Sequence, residues 1–170
     1  MEAFTILAFD PALRTGWSVL WYRQDKPIYI IASGIVDIST IEGYGYRLDE
    51  FRKQIADLLY LYKPTFIIAE EVTFAMGNHI VKRLHAGLRG IIALETYRYN
   101  RVEANFISAN TARKTIGAGG GAKKPQVAKF LQAMGMIEEK PVVNWGDYDV
   151  TDSIALGVAL ITEVKNDKHS

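Results

Sequence analysis

The sequence predicts an α/β fold, a mixed five-stranded sheet flanked by helices, on three observations. The first forty residues hold three short apolar runs rich in β-branched and aromatic residues. The rest interleaves further short apolar runs with stripes of helical period. Hairpin-joined strands followed by strand–helix alternation imply a sheet with both parallel and antiparallel neighbours. The 170 residues suit one core. The expected organisation is a single domain over 1–165 and a flexible tail over 166–170.

The elements follow in order. Phe4 to Phe9 is an apolar run ending in Asp10, read as a buried strand. Pro11 and the Thr15-Gly16 pair mark a turn. Trp17 to Tyr22 is a second strand, in which Trp17 and Trp21 pack one sheet face, and Ile28 to Val36 is a third. Leu48, Phe51, Ile55, Leu58, Leu59 and Tyr62 form a helical stripe over Arg47 to Tyr62, stopped by Pro64. Thr65 to Ala69 is a fourth strand, ending at Glu70-Glu71. Ile80 to Tyr99 is a long helix whose small residues, Ala86, Gly87, Gly90 and Ala93, permit close packing within the fold or against a second subunit. Ala104 to Ile107 is a fifth strand, and Ser108 or Asn110 caps a short helix after it. A glycine-rich loop, Gly117 to Ala122, precedes a helix from Lys124 to Met134 with Pro125 in its first turn. Asp149 to Val164 is the last helix.

Composition narrows the function classes. The chain has no cysteine, which rules out disulfides and zinc–thiolate sites. Nothing approaches the length of a membrane span, and the start lacks the pattern of a secretory signal. An intracellular protein is expected, acting in cytoplasm or nucleoid or in the replication compartment of a virus or organelle. The net charge is only +1, but it is unevenly placed. Residues 77–129 carry +8 and the remainder carries −7. A basic middle and an acidic remainder fit an enzyme that grips a polyanion with one region and holds cations with another.

Four acids sit on rigid supports. Asp10 ends the first strand and Glu70 the fourth, while Asp149 and Asp152 open the last helix at i and i+3, on one face. Crowded carboxylates repel and raise one another's pKa values, a penalty that a divalent cation removes. Hard oxygen donors without thiols favour Mg²⁺, with Mn²⁺ able to substitute. Two such ions, roughly 4 Å apart, suit phosphodiester hydrolysis. Asp10, Glu70, Asp149 and Asp152 are therefore the expected metal ligands and catalytic residues, with Asp10 central. Alternation turns Glu71 to the opposite side of its strand from Glu70. Asp147 is a further acid without an assigned role.

The same segments resemble the RuvC family of Holliday junction resolvases. Ile6 to Pro11 followed by Gly16 is similar to the family's first-strand motif, and Ile67 to Val72 to its second acidic motif. Asp149 to Leu156 is similar to its closing Asp-x-x-Asp motif. Lys114-Thr115-Ile116-Gly117 and Lys123 to Val127 are similar to the basic stretch between them. The resemblance covers almost the whole chain in order. It implies an RNase H-like fold, a homodimer, and paired cuts across four-way DNA junctions. Carried over, it makes Asp10, Glu70, Asp149 and Asp152 catalytic ligands and places Lys114 and Lys124 near the scissile phosphate. Three departures stand out. Ala12 replaces a glycine, Glu71 replaces a glutamine, and Phe74 stands one residue beyond the usual place of an aromatic wedge.

The basic residues are the expected DNA contacts. Lys114, Lys123 and Lys124 flank the glycine loop and, with Arg113, are expected along the phosphate path. Lys124 can also stabilise the transition state electrostatically. Lys82 and Arg83 either hold the junction arms or form a solvated helix face, and Phe74 either wedges between bases at the junction centre or packs into the core. No Gly-Lys-Ser/Thr follows the glycines, which excludes a Walker loop. Three other functions share parts of this pattern. They are a nuclease for RNA–DNA hybrids or flaps, a catalytically inactive junction-binding module, and an actin-like kinase lobe. The last needs twice the chain.

Overall fold

The computed structural model describes residues 3–71, 78–138 and 143–167. The elements are β1 (Ala3–Asp10), β2 (Arg14–Arg23), β3 (Tyr29–Asp37), α1 (Tyr44–Tyr62), β4 (Phe66–Glu70), α2 (His79–Asn100), β5 (Asn105–Ile107), α3 (Ala109–Thr115), α4 (Lys124–Ala133), β6 (Ile137–Glu138) and α5 (Tyr148–Asp167). The strands form one sheet in the order β5-β4-β1-β2-β3-β6. The hairpin partners β1–β2 and β2–β3 are antiparallel, and β1–β4, β4–β5 and β3–β6 are parallel.

Three expectations are corrected. The sheet has six strands rather than five, because Ile137 and Glu138 add to the edge of β3. A two-residue strand is too short for any alternation to announce it. Thr15 and Gly16 are strand residues, not turn residues: Gly16 pairs with Asp10 on one side and Ile35 on the other. The turn itself is Pro11 to Leu13, closed by Thr15. The Thr15 hydroxyl donates to the Ala12 carbonyl at 2.7 Å and accepts from the Ala12 N–H at 3.1 Å. The last helix also extends beyond Val164 to Asp167.

Alternation along β1 divides the core into two layers. Phe4, Ile6 and Ala8 face α5 together with α3 and α4, and Leu7 and Phe9 face α1 and α2. From Val150 to Ile161 every residue of α5 is buried, so this helix is the centre of its layer. It lies close on β2. A Cβ on Gly157 would come within 2.6 Å of the Leu20 side chain. On the opposite face Trp17 packs against Tyr62 and Trp21 against Tyr29.

Local signals set the helix ends. Asn78 caps α2, accepting from the N–H groups of Ile80 and Val81, and Ser108 caps α3 by accepting from Thr111. Ahead of Pro64, α1 closes on Lys63, which adopts the left-handed region and donates its N–H to Leu59. Gly87 packs against Tyr44 and Leu48 of α1, whereas Gly90 faces open space.

Candidate active site

Parallel pairing of β1 with β4 sets the first two acids side by side. Phe9 is in register with Ala69, so Asp10 and Glu70 are the next residues on neighbouring strands. Both continue the face turned to α5, in phase with Ala8 and Ile68. Their carboxyl groups are within hydrogen-bonding contact. Burial raises the pKa of Asp10 well above the usual aspartate range. The hydrogen bond and charge of Glu70, and the charge of Asp152, push it the same way, and Lys124 opposes them.

The third element of the site is the start of α5. Gly16, opposite Asp10 in the hairpin, carries the backbone of Asp149 directly over it: a Cβ there would lie 1.9 Å from the Asp149 carbonyl oxygen. This close approach places the first turn of α5 beside the end of β1. Asp152 is 6% exposed and lies within the acidic group. The Lys124 ammonium bridges the two helix acids, 3.0 Å from Asp152 Oδ2 and 3.3 Å from Asp149 Oδ1. Partial burial works to lower the Lys124 pKa. The hydrogen bond to Asp152 and the surrounding carboxylates outweigh it, so Lys124 stays charged more firmly than a free lysine.

Arg113 is turned inward. Its Nη2 lies 3.3 Å from Asp152 Oδ1, and its Nη1 donates to the Ala122 carbonyl in the glycine loop at 3.2 Å. It therefore joins α3, α5 and the loop that leads into Lys123 and Lys124. Lys114 and Lys123 are exposed to either side of that loop. Lys82 and Arg83 lie on α2, with the Arg83 guanidinium stacked on the Tyr44 ring. Phe74 lies outside the described residues.

The two extra acids point elsewhere. Glu71 emerges on the opposite side of the sheet and pairs with Arg89. Asp147 pairs with Arg14 at 3.1 Å and accepts from the Asp149 N–H at the head of α5. Sequence reasoning missed these pairings and that of Arg113 with Asp152. The partners are 18, 133 and 39 residues apart, and no local pattern connects them.

Among the described residues no three His, Asp or Glu side chains converge closely enough to hold an ion as they stand. Positive charge among the acids comes from Lys124 and Arg113. The donor set nonetheless suits a hard cation. It consists of carboxylate oxygens, and burial together with the neighbouring Glu70 and Asp152 disfavours the charged form of Asp10, a cost that a bound cation would remove.

Comparison with known proteins gives a consistent picture. The family model described as crossover junction endodeoxyribonuclease RuvC matches residues 6–160. A crossover junction endodeoxyribonuclease RuvC of Ehrlichia chaffeensis is 31% identical over 154 residues, covering 90% of this chain and 93% of its own. One from Francisella tularensis is 30% identical, covering 90% and 85%. Among solved structures, Thermus thermophilus RuvC in complex with a Holliday junction substrate superposes with a TM-score of 0.81 at 14% identity, over 96% of each chain. The yeast mitochondrial Holliday junction resolvase superposes with a TM-score of 0.68 at 11% identity, over 96% of this chain and 80% of its own. At these identities the superpositions speak to the fold, and the family model and the sequence relatives speak to descent.

Proposed function

The chain belongs to the RuvC family of crossover junction endodeoxyribonucleases, and from that premise we propose that it resolves four-way DNA junctions by paired, metal-dependent phosphodiester hydrolysis. The observation that carries the reading is the meeting of Asp10 and Glu70 across parallel strands, with Asp152 of α5 in the same group. Residues about 60 and 140 positions apart have no structural need to crowd negative charge in one buried place. A nuclease centre has that need.

RuvC-type enzymes are metal-dependent nucleases. Here Asp10, Glu70, Asp149 and Asp152 would hold the cations, two Mg²⁺ with Mn²⁺ able to replace them. When bound, the ions would supply Lewis acidity to the attacking water and to the leaving oxygen. The chain's own residues do the rest. The strand ends fix the acids without loop mobility. Lys124, held at Asp149 and Asp152, sets positive charge where a phosphate would develop negative charge. Lys114 and Lys123, exposed beside the glycine loop, would follow the sugar-phosphate backbone with Lys82 and Arg83 farther along it. Paired cuts call for two sites. Gly90, Leu94 and Tyr97 line one outward face of α2, open or half-exposed, and offer a surface to a second copy. Among the described residues no helix is long and apolar enough to cross a membrane. On the nuclease reading the protein would act on replicating or recombining DNA inside the cell, in cytoplasm or nucleoid or in the replication compartment of a virus or organelle.

The decisive experiment presents purified protein and Mg²⁺ with a four-way junction, a flap and an RNA–DNA hybrid. Paired, symmetric nicks in the junction are expected, with at most weak cutting of the others. Cleavage confined to the hybrid would sink the proposal, and tight junction binding without cutting would favour an inactive clamp.

Lys124→Ala tests the phosphate contact. Turnover should fall about ten-fold or more. The slope of log affinity against log salt should become shallower by about one unit. An unchanged slope in salt titrations would remove Lys124 from the DNA interface.

A further inference from the structure

Glu71 and Arg89 form a pair for which the proposed reaction has no use. They lie on the far side of the sheet from the acids. Successive strand residues point to opposite faces, so Glu70 meets Asp10 beneath α5 while Glu71 emerges toward α2. There Arg89 grips both carboxylate oxygens, Nη1 to Oε1 at 2.6 Å and Nη2 to Oε2 at 3.0 Å. Such a two-pronged contact fixes direction as well as distance. The same guanidinium stacks on the Phe106 ring, its carbon 4.8 Å from the centroid. Phe106 belongs to β5 and is in register with Ala69, the residue before Glu70. The Glu71 N–H donates to the Ile107 carbonyl at 2.7 Å. The residue after Glu70 is therefore fastened to β5 through its backbone and to α2 through its side chain.

Strand ends are where pairing stops and backbone freedom begins. Glu70 sits at such an end and must stay beside another carboxylate that repels it. Arg89 Nε is buried with no hydrogen-bond partner among the described residues. Its guanidinium is thus held by the fork and the ring, at the expense of a donor that open water would satisfy.

We propose that the Glu71–Arg89 pair is a positioning device that anchors the end of β4 from behind and so keeps Glu70 against Asp10. The idea deepens the nuclease reading and rests on it for its activity readout. Displacing a reacting group by about 1 Å can cost on the order of 100-fold in rate, so a loosened anchor is visible in catalysis before it is visible in folding.

The test compares wild type, Glu71→Gln, Arg89→Lys and the double variant. Two quantities are measured: single-turnover junction cleavage with separately determined junction affinity, and Mn²⁺ affinity by calorimetry without DNA. Arg89→Lys abolishes the fork but keeps the charge. Its cleavage rate should fall about ten-fold with junction affinity within about two-fold, and its Mn²⁺ affinity should drop by a similar factor. The double variant should be no worse than the more impaired single, because the two residues act as one unit. Rates and Mn²⁺ affinities within about two-fold of wild type for both single variants would overturn the proposal, as would fully additive losses. If Arg89→Lys melts at the assay temperature, Glu71→Gln decides, since it keeps volume and one accepting oxygen. If wild type cuts no DNA at all, the junction reading falls, and the Mn²⁺ titrations still decide the anchor.

Discussion

Asp10→Asn is expected to abolish junction cleavage, lowering it about 1,000-fold or more, and to leave junction affinity nearly unchanged. The same substitution should make the metal-free protein more stable. Both results follow from the surroundings of one carboxyl group. Asp10 is buried against Glu70 with Asp152 nearby, and its pKa is raised well above the usual aspartate range. The folded protein therefore holds the Asp10 proton more firmly than the unfolded chain does. Below the ordinary aspartate pKa both states carry the proton, and Asp10 imposes no penalty. As pH rises through the window from that value to the raised one, the folded state binds more protons than the unfolded state, and stability falls. Asparagine has no charge to lose and can donate its amide N–H to Glu70, so the variant escapes this loss. In thermal melts with a chelator, the advantage of Asp10→Asn over wild type should grow with pH across that window. Added Mn²⁺ should close the gap by stabilising wild type alone. Near-normal cutting by Asp10→Asn would remove it from the centre. A gap that shrinks with rising pH in chelator would contradict the crowding of the acids.

Residues that act through backbone periodicity were legible in the sequence. The apolar runs of β1 and β4 end in acids at the C-terminal edge of two strands, and the parallel register of the sheet then makes those acids neighbours. The i, i+3 spacing of Asp149 and Asp152 needs only a helix to share a face. Opposite faces for Glu70 and Glu71 follow from alternation alone, and the Glu71–Arg89 pair on the α2 side agrees with it. What was not legible depends on tertiary approach. β6 contributes two residues to the sheet, too few for a pattern. Arg113 is one more cation in a basic stretch until α3 and α5 pack together and its guanidinium reaches Asp152. Thr15 and Gly16 carry turn-like residue types, yet pairing on both sides by β1 and β3 holds them extended. Local propensity loses there to two ladders of hydrogen bonds.

Gly16 shows how strongly that approach controls the site. Gly16→Ala is expected to destabilise the protein by about 3 kcal/mol, lowering the melting temperature by about 6–12 °C, and to reduce cleavage about 100-fold at temperatures where the variant is folded. The added methyl would sit 1.9 Å from the Asp149 carbonyl oxygen, 2.1 Å from its carbon and 2.7 Å from the Val150 nitrogen. All three are backbone atoms at the head of a buried helix, and none can swing aside as a side-chain tip can. At Gly157 the nearest atom is the end of the Leu20 side chain at 2.6 Å, so the same change there should be milder. Relief at Gly16 requires the first turn of α5 to lift from β2. That motion carries Asp149 and Asp152 away from Asp10 while leaving the rest of the sheet intact. The loss of cleavage should therefore exceed what the fraction of unfolded protein explains. Gly45→Ala is the control: its Cβ meets nothing within 4 Å, and helix propensity favours it. If Gly16→Ala melted and cut like Gly45→Ala, the contact between β2 and α5 could not be what assembles the acids, and the site would have to owe its geometry to the α4 and α3 cations instead.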